Sequence, residues 1–108
     1  MTYNIIAIPK FRKELKKLGK KFPSLKSDFG LLLDSLELNP AQGTSLGKDC
    51  FKIRLAIKSK GKGKSGGARI ITNIVIKQKT VYLLKIYDKS DTDSITDKEL
   101  KELLEYIT

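Results

Sequence analysis

Between Phe51 and Arg69 the chain reads FKIRLAIKSKGKGKSGGAR, a stretch carrying Lys52, Arg54, Lys58, Lys60, Lys62, Lys64 and Arg69 and no acidic residue. An alternating strand pattern enters a Lys/Gly tract and returns as a second strand that begins with arginine. Such a hairpin can surround a polyanion with cations, and an RNA phosphodiester is the leading candidate. Two to four fixed cations and a phenol are sufficient for phosphodiester cleavage without a metal. Arg69 would stabilise charge on a pentavalent phosphorane, which is work for prepositioned donors. A lysine crowded by other cations would give up its proton more easily and accept one from a ribose 2′-hydroxyl, while another would serve the leaving 5′-oxygen.

Strand parity tests whether these groups converge. Arg54 and Lys58 share one parity, opposite Phe51, Ile53, Leu55 and Ile57, while Lys85, Tyr87 and Lys89 share another farther along the chain. With Arg69 on a strand between them, one sheet face would gather Arg54, Lys58, Arg69, Lys85, Tyr87 and Lys89. The alternative is that these lysines only solubilise an edge.

Other chemistries are closed or weak. The chain has no histidine, which removes the acid–base pair of a pancreatic-type ribonuclease, the serine and cysteine triads and histidine metal ligands. Cys50 is the only cysteine, so it forms no intramolecular disulfide, fits a reducing cytosol and reads as a small buried side chain. GKGKSGG contains GKS, but a phosphate-binding loop would need glycine where Lys58 stands. Asp88, Asp91, Asp93 and Asp97 lack calcium-loop spacing and its glycine, and read as solvated loop and helix-start carboxylates. No metal or cofactor is expected.

These residues must be held by a scaffold of 108 residues, enough for one domain with a modest core. The net charge is +10 and is segregated. Residues 10–26 and 48–69 each carry +7 and 70–89 carry +3, whereas 27–47 carry −3 and 90–108 carry −4. This points to a one-sided field and an acidic partner. No apolar run approaches the roughly 18 residues of a membrane span, and the start does not read as a signal peptide.

The pattern predicts a strand over Tyr3–Ile8, then a helix with Phe11, Leu15, Leu18 and Phe22 on its apolar face and lysines on the other. A second helix carries Leu25, Phe29, Leu32, Leu33 and Leu36, and residues 42–47 read as a loop. Strands follow over 51–58, about 68–77 and about 80–88. A last helix opens at Thr96, where Thr96 with Glu99 matches a capping box. The order β-α-α-β-β-β-α describes an α+β domain, residues 1–108, with a helical hairpin on one face of a small, mainly antiparallel sheet.

KIRLAIKSKGKGKSGGAR, the following IIT and VYLLKIYDKSD, after a β-α-α start, resemble the RelE/ParE superfamily of toxin–antitoxin toxins, closest to its HigB-like branch. The resemblance spans the whole chain. It implies a small cytosolic, metal-free endoribonuclease that cuts mRNA on the ribosome, leaves a 2′,3′-cyclic phosphate and is neutralised by a cognate antitoxin. It also assigns residues: Arg69 matches the family's arginine, Lys60 and Lys62 its upstream lysines, and Lys89 its distal basic residue. A longer hairpin makes Lys58 as eligible as Lys60 for the base. The tyrosine that stacks on the substrate base falls near Ile95 and is unmatched, with Tyr87 its substitute. Lys13, Lys16, Lys17, Lys20 and Lys21, with Arg54, Lys64 and Lys85, would hold RNA phosphates. The competing readings are a ParE-like inhibitor of DNA gyrase and a non-catalytic RNA-binding relative.

Overall fold

A computed structural model describes residues 2–91 and 94–107. Five strands form one sheet: β1 (Asn4–Ala7), β2 (Thr44–Gly47), β3 (Cys50–Leu55), β4 (Ala68–Val75) and β5 (Thr80–Asp88). Their spatial order is β1-β5-β4-β3-β2, antiparallel except for the parallel β1–β5 pair. The three helices are α1 (Pro9–Lys21), α2 (Leu25–Leu38) and α3 (Asp97–Leu104). This is the expected α+β architecture with one strand more.

The additional strand corrects the reading of residues 42–47 as loop. Thr44–Gly47 pairs with Lys52, Phe51 and Cys50 through a bulge. Its sequence, TSLG, offers one apolar side chain, so an edge strand this polar has no alternation to announce it. The opposite correction applies after Leu55. The predicted strand over 51–58 stops there, and Lys58–Lys60 form a short 3₁₀ turn even though Ile57 is buried. The strand expected over 68–77 likewise ends at Val75, with Ile76–Gln78 turning toward β5.

Local chemistry sets the helix limits. Pro9 occupies the first turn of α1, where its missing N–H removes no helical bond. Thr96 caps α3 by accepting the Glu99 backbone N–H at 3.1 Å, as the capping box requires. The apolar stripes bury Phe11, Leu25, Leu36 and Leu103 in one core cluster with Ile70, Leu83 and Ile86. Each such side chain contributes about 1.5–3 kcal/mol of burial energy.

β1 is short and pairs only with residues 80–83, leaving the later part of β5 open on that side. α1 follows directly, and its Glu14 carboxylate accepts the Ile86 backbone N–H at 3.4 Å. Burial raises the Glu14 carboxyl, against the lowering effect of that hydrogen bond and of Lys85 and Lys10. An otherwise unpaired strand edge is thereby covered by a helix.

Candidate nucleic-acid interface

The register gathers part of the expected set. Arg54 pairs with Arg69 and Arg69 with Tyr87, so these three side chains belong to one cross-strand row on one face. The adjacent row is Lys52, Ile71 and Lys85. A bulge at Leu84 lies beyond both rows and leaves their parity intact. Lys52 did not stand out in the sequence because it alternates with apolar residues like any surface strand lysine. The cross-strand row places it on the same face as Lys85, across Ile71.

Burial then separates these cations. Arg69 is only 4% exposed. Its Nη1 donates to the carbonyls of Lys64 (2.8 Å) and Ala68 (3.1 Å), and its Nη2 to that of Ser65 (3.2 Å). The guanidinium therefore organises the glycine-rich loop from beneath and is not presented to solvent. Gly67 belongs to the same close packing: a Cβ there would lie 2.0 Å from the Leu55 carbonyl oxygen. The backbone N–H of Lys89 donates to the Gly67 carbonyl at 3.0 Å, tying the end of β5 to the loop.

Lys60 is a correction to the expected set of candidate bases. It is ion-paired with Asp88, also reaches Ser90 Oγ at 3.3 Å and sits 5.5 Å from the centre of the Phe22 ring. Asp88 has the parity opposite to Arg69's partner Tyr87, so Lys60 is drawn toward α1 and away from the arginine row. Lys21 lies 3.8 Å from the same carboxylate. Asp88 is itself 1% exposed, which corrects its reading as a solvated carboxylate. Burial alone would raise its carboxyl, but the Lys60 ammonium and the N–H and hydroxyl of Ser90 outweigh that and lower it to about 2. Asp91 and Asp97 are exposed, and Asp93 lies outside the described residues.

Lys58 is a second correction. Standing in a 3₁₀ turn, it cannot share a strand face with Arg54. It reaches Arg54 another way. Its backbone N–H donates to Asp28 Oδ2 at 3.0 Å, which also accepts the Ser24 hydroxyl at 2.7 Å. Ser59 N–H donates to Ser24 Oγ at 2.8 Å. This network pins the loop to the start of α2, and Arg54, Lys58 and Lys64 then line one groove between α2 and the edge of β3. A second groove shares Arg54 and Lys64 and adds Lys52. β2 pairs with β3 only as far as Lys52, so Ile53–Leu55 have no strand partner on that side.

The remaining assignments scatter. Lys62 is exposed on the loop. Lys85 pairs with Glu99 of α3 and lies 5.6 Å from the Tyr87 ring centre. Tyr87 is buried. Lys13, Lys16, Lys17, Lys20 and Lys21 are exposed along α1 and form a cationic surface of their own. Burial raises the Cys50 thiol, opposed by an Asn73 hydrogen bond, and the side chain is fully enclosed. The sequence reading missed Asp28 and Ser24. The available signal was position: Asp28 stands three residues after Leu25 and four before Leu32, on the buried stripe of α2, where a carboxylate needs partners.

A sequence profile of the RelE toxin of the RelE / RelB toxin–antitoxin system matches residues 36–108, which include β3, the cationic loop, β4 and β5. The fold is similar to that of a doubly substituted toxin RelE of E. coli in the free state, with TM-score 0.66 and 18% identity over 100% of both chains. It is similar to a chain of the toxin–antitoxin complex RelBE2 from Mycobacterium tuberculosis, with TM-score 0.59 and 17% identity over 82% of this chain and 99% of that one. A chain of the archaeal RelE–RelB complex from Pyrococcus horikoshii gives TM-score 0.55 and 21% identity over 85% of this chain and 100% of that one. Among the described residues no helix is long and apolar enough to cross a membrane. The profile match covers well over half of the chain, and the chain belongs to the RelE toxin family, the toxins of toxin–antitoxin systems.

Proposed function

We propose that this toxin is a ribosome-dependent, metal-free mRNA endoribonuclease held in check by a cognate antitoxin. The observation that carries the reading is the groove at the open edge of β3, where Arg54, Lys58 and Lys64 converge above the Arg69-anchored loop. A scissile phosphate in the groove meets three exposed cations. Lys58, acting as general base, takes the proton of the ribose 2′-hydroxyl. The 2′-oxygen attacks phosphorus, Arg54 stabilises the pentavalent phosphorane, and the bond to the 5′-oxygen breaks as that oxygen takes a proton from the Lys64 ammonium. The products are a 2′,3′-cyclic phosphate and a 5′-hydroxyl. Arg69 acts as a positioning residue, because its guanidinium fixes the Lys64 and Ser65 carbonyls.

The α1 lysines supply sequence-independent contacts to ribosomal RNA phosphates. Relatives have been seen in complexes of RelE with RelB. For this chain the matching partner is an antitoxin whose acidic, amphipathic segment covers the basic surface. The test is end-group chemistry. Purified toxin added to ribosomes programmed with a defined mRNA should yield fragments labelled directly by polynucleotide kinase, which requires a 5′-hydroxyl. Lys58→Ala should reduce them about a hundredfold. Fragments carrying 5′-phosphates, or full cleavage by Lys58→Ala, would refute the assignment.

A further inference from the structure

The geometry points to a nucleobase subsite in the groove between α2 and β3, with Leu31 as its floor and a residue that helps to select RNA substrates. This rests on the RNA reading above and adds to it a binding role for α2. Leu31 is 62% exposed on a helix whose apolar stripe already buries Leu25, Leu32 and Leu36. The core therefore does not explain it. Leu31 lines the groove with Leu32, Ile53, Leu55 and Ala56, and Arg54, Lys58 and Lys64 line the same groove.

An apolar surface ringed by cations suits one kind of occupant particularly well. A nucleotide carries a flat, weakly hydrated base and a phosphate about one ribose away, and bases stack on aliphatic surfaces and on arginine planes. The carboxylate that lines the groove, Asp28, is 4% exposed, its Oδ2 is taken by Ser24 and the Lys58 N–H, and the three cations of the groove outnumber it. Size favours the same occupant. The cavity measures about 280 Å³, below the roughly 300–1,000 Å³ that enclose drug-sized ligands. It has room for one base.

The probe is a fluorescein-labelled single-stranded RNA hexamer, 2′-O-methylated to block cleavage, beside a hexamer of the same backbone with abasic units. Fluorescence anisotropy should show the wild-type toxin binding the base-bearing strand about tenfold more tightly. Leu31→Asn should reduce that preference to within about twofold without weakening abasic binding, and Leu31→Met should restore it. Leu31 is exposed, so both variants should keep the wild-type circular dichroism spectrum and melting temperature. An undiminished preference in Leu31→Asn overturns the subsite, as does a wild type with no preference. So does a Leu31→Asn toxin that keeps the preference and instead escapes its antitoxin, which would make Leu31 part of a protein interface. The assay involves neither cleavage nor the ribosome. A wild type that fails to cut mRNA would therefore refute the nuclease while leaving this result to stand or fall on its own.

Discussion

Two groups of cations lie within a few residues of each other and have opposite fates. Arg69, Lys60 and Lys85 are committed to partners inside the protein: loop carbonyls, Asp88 and Glu99. Arg54, Lys58 and Lys64 line an open groove. The difference teaches that density of positive charge does not identify which charges are left facing solvent. The inner group builds the shape of the loop. The outer group lines the groove, and Asp28 and Arg69 hold the loop that carries Lys58 and Lys64.

Substitutions should separate the two groups, beginning with the largest effect. Arg69→Ala removes a buried guanidinium and orphans the Lys64 and Ser65 carbonyls. It should lose about 3 kcal/mol of stability in urea unfolding and cut mRNA cleavage at least a hundredfold, with Arg69→Lys intermediate because an ammonium cannot serve both carbonyls in the same fork geometry. An Arg69→Ala protein of unchanged stability would remove Arg69 from the inner group.

Asp88→Asn breaks a buried pair and leaves Lys60 without its carboxylate, at a cost of about 3 kcal/mol. The pH dependence has a defined sign. The Asp88 carboxyl is lowered from 3.8 to about 2 in the folded state, so its stabilisation is complete above about pH 4 and fades as pH falls toward 2. Unfolding curves of wild type and variant should therefore converge in acid and diverge at neutral pH. Parallel curves throughout would mean that the ionised pair contributes nothing.

Arg54→Ala belongs to the other group. Its stability should stay within about 0.5 kcal/mol of wild type while cleavage falls ten- to a hundredfold. Equal losses of stability and cleavage would dissolve the distinction between the groups. The smallest effect is expected from Lys13, Lys16 and Lys17 changed together to Gln. Ribosome association should weaken modestly and the slope of log affinity against log salt should drop by about 2. An unchanged slope would place the RNA contact elsewhere.

The fold was readable because periodicity and caps are local: Phe11, Leu15 and Leu18 repeat at helical spacing, and Thr96 announces α3. β2 was not, since TSLG is an edge strand defined by its pairing with β3 rather than by its own side chains. For the site, parity correctly placed Arg54, Arg69 and Tyr87 on one face, and it failed for Lys58 at the point where the strand ends. Nothing in KSKGKGK distinguishes the lysine that pairs with a carboxylate 28 residues away from the lysine that stays in the groove. That choice is made by Asp28 and Asp88, through contacts that join α2 and β5 to the loop.

The most direct test is mapping of mRNA 5′ ends by primer extension after brief induction of wild type beside Arg54→Ala, at equal levels of folded protein. The proposed mechanism predicts new ends within translated codons in the wild type and their near disappearance in Arg54→Ala. Undiminished cuts in Arg54→Ala, or growth arrest by the wild type with no new ends, would contradict it.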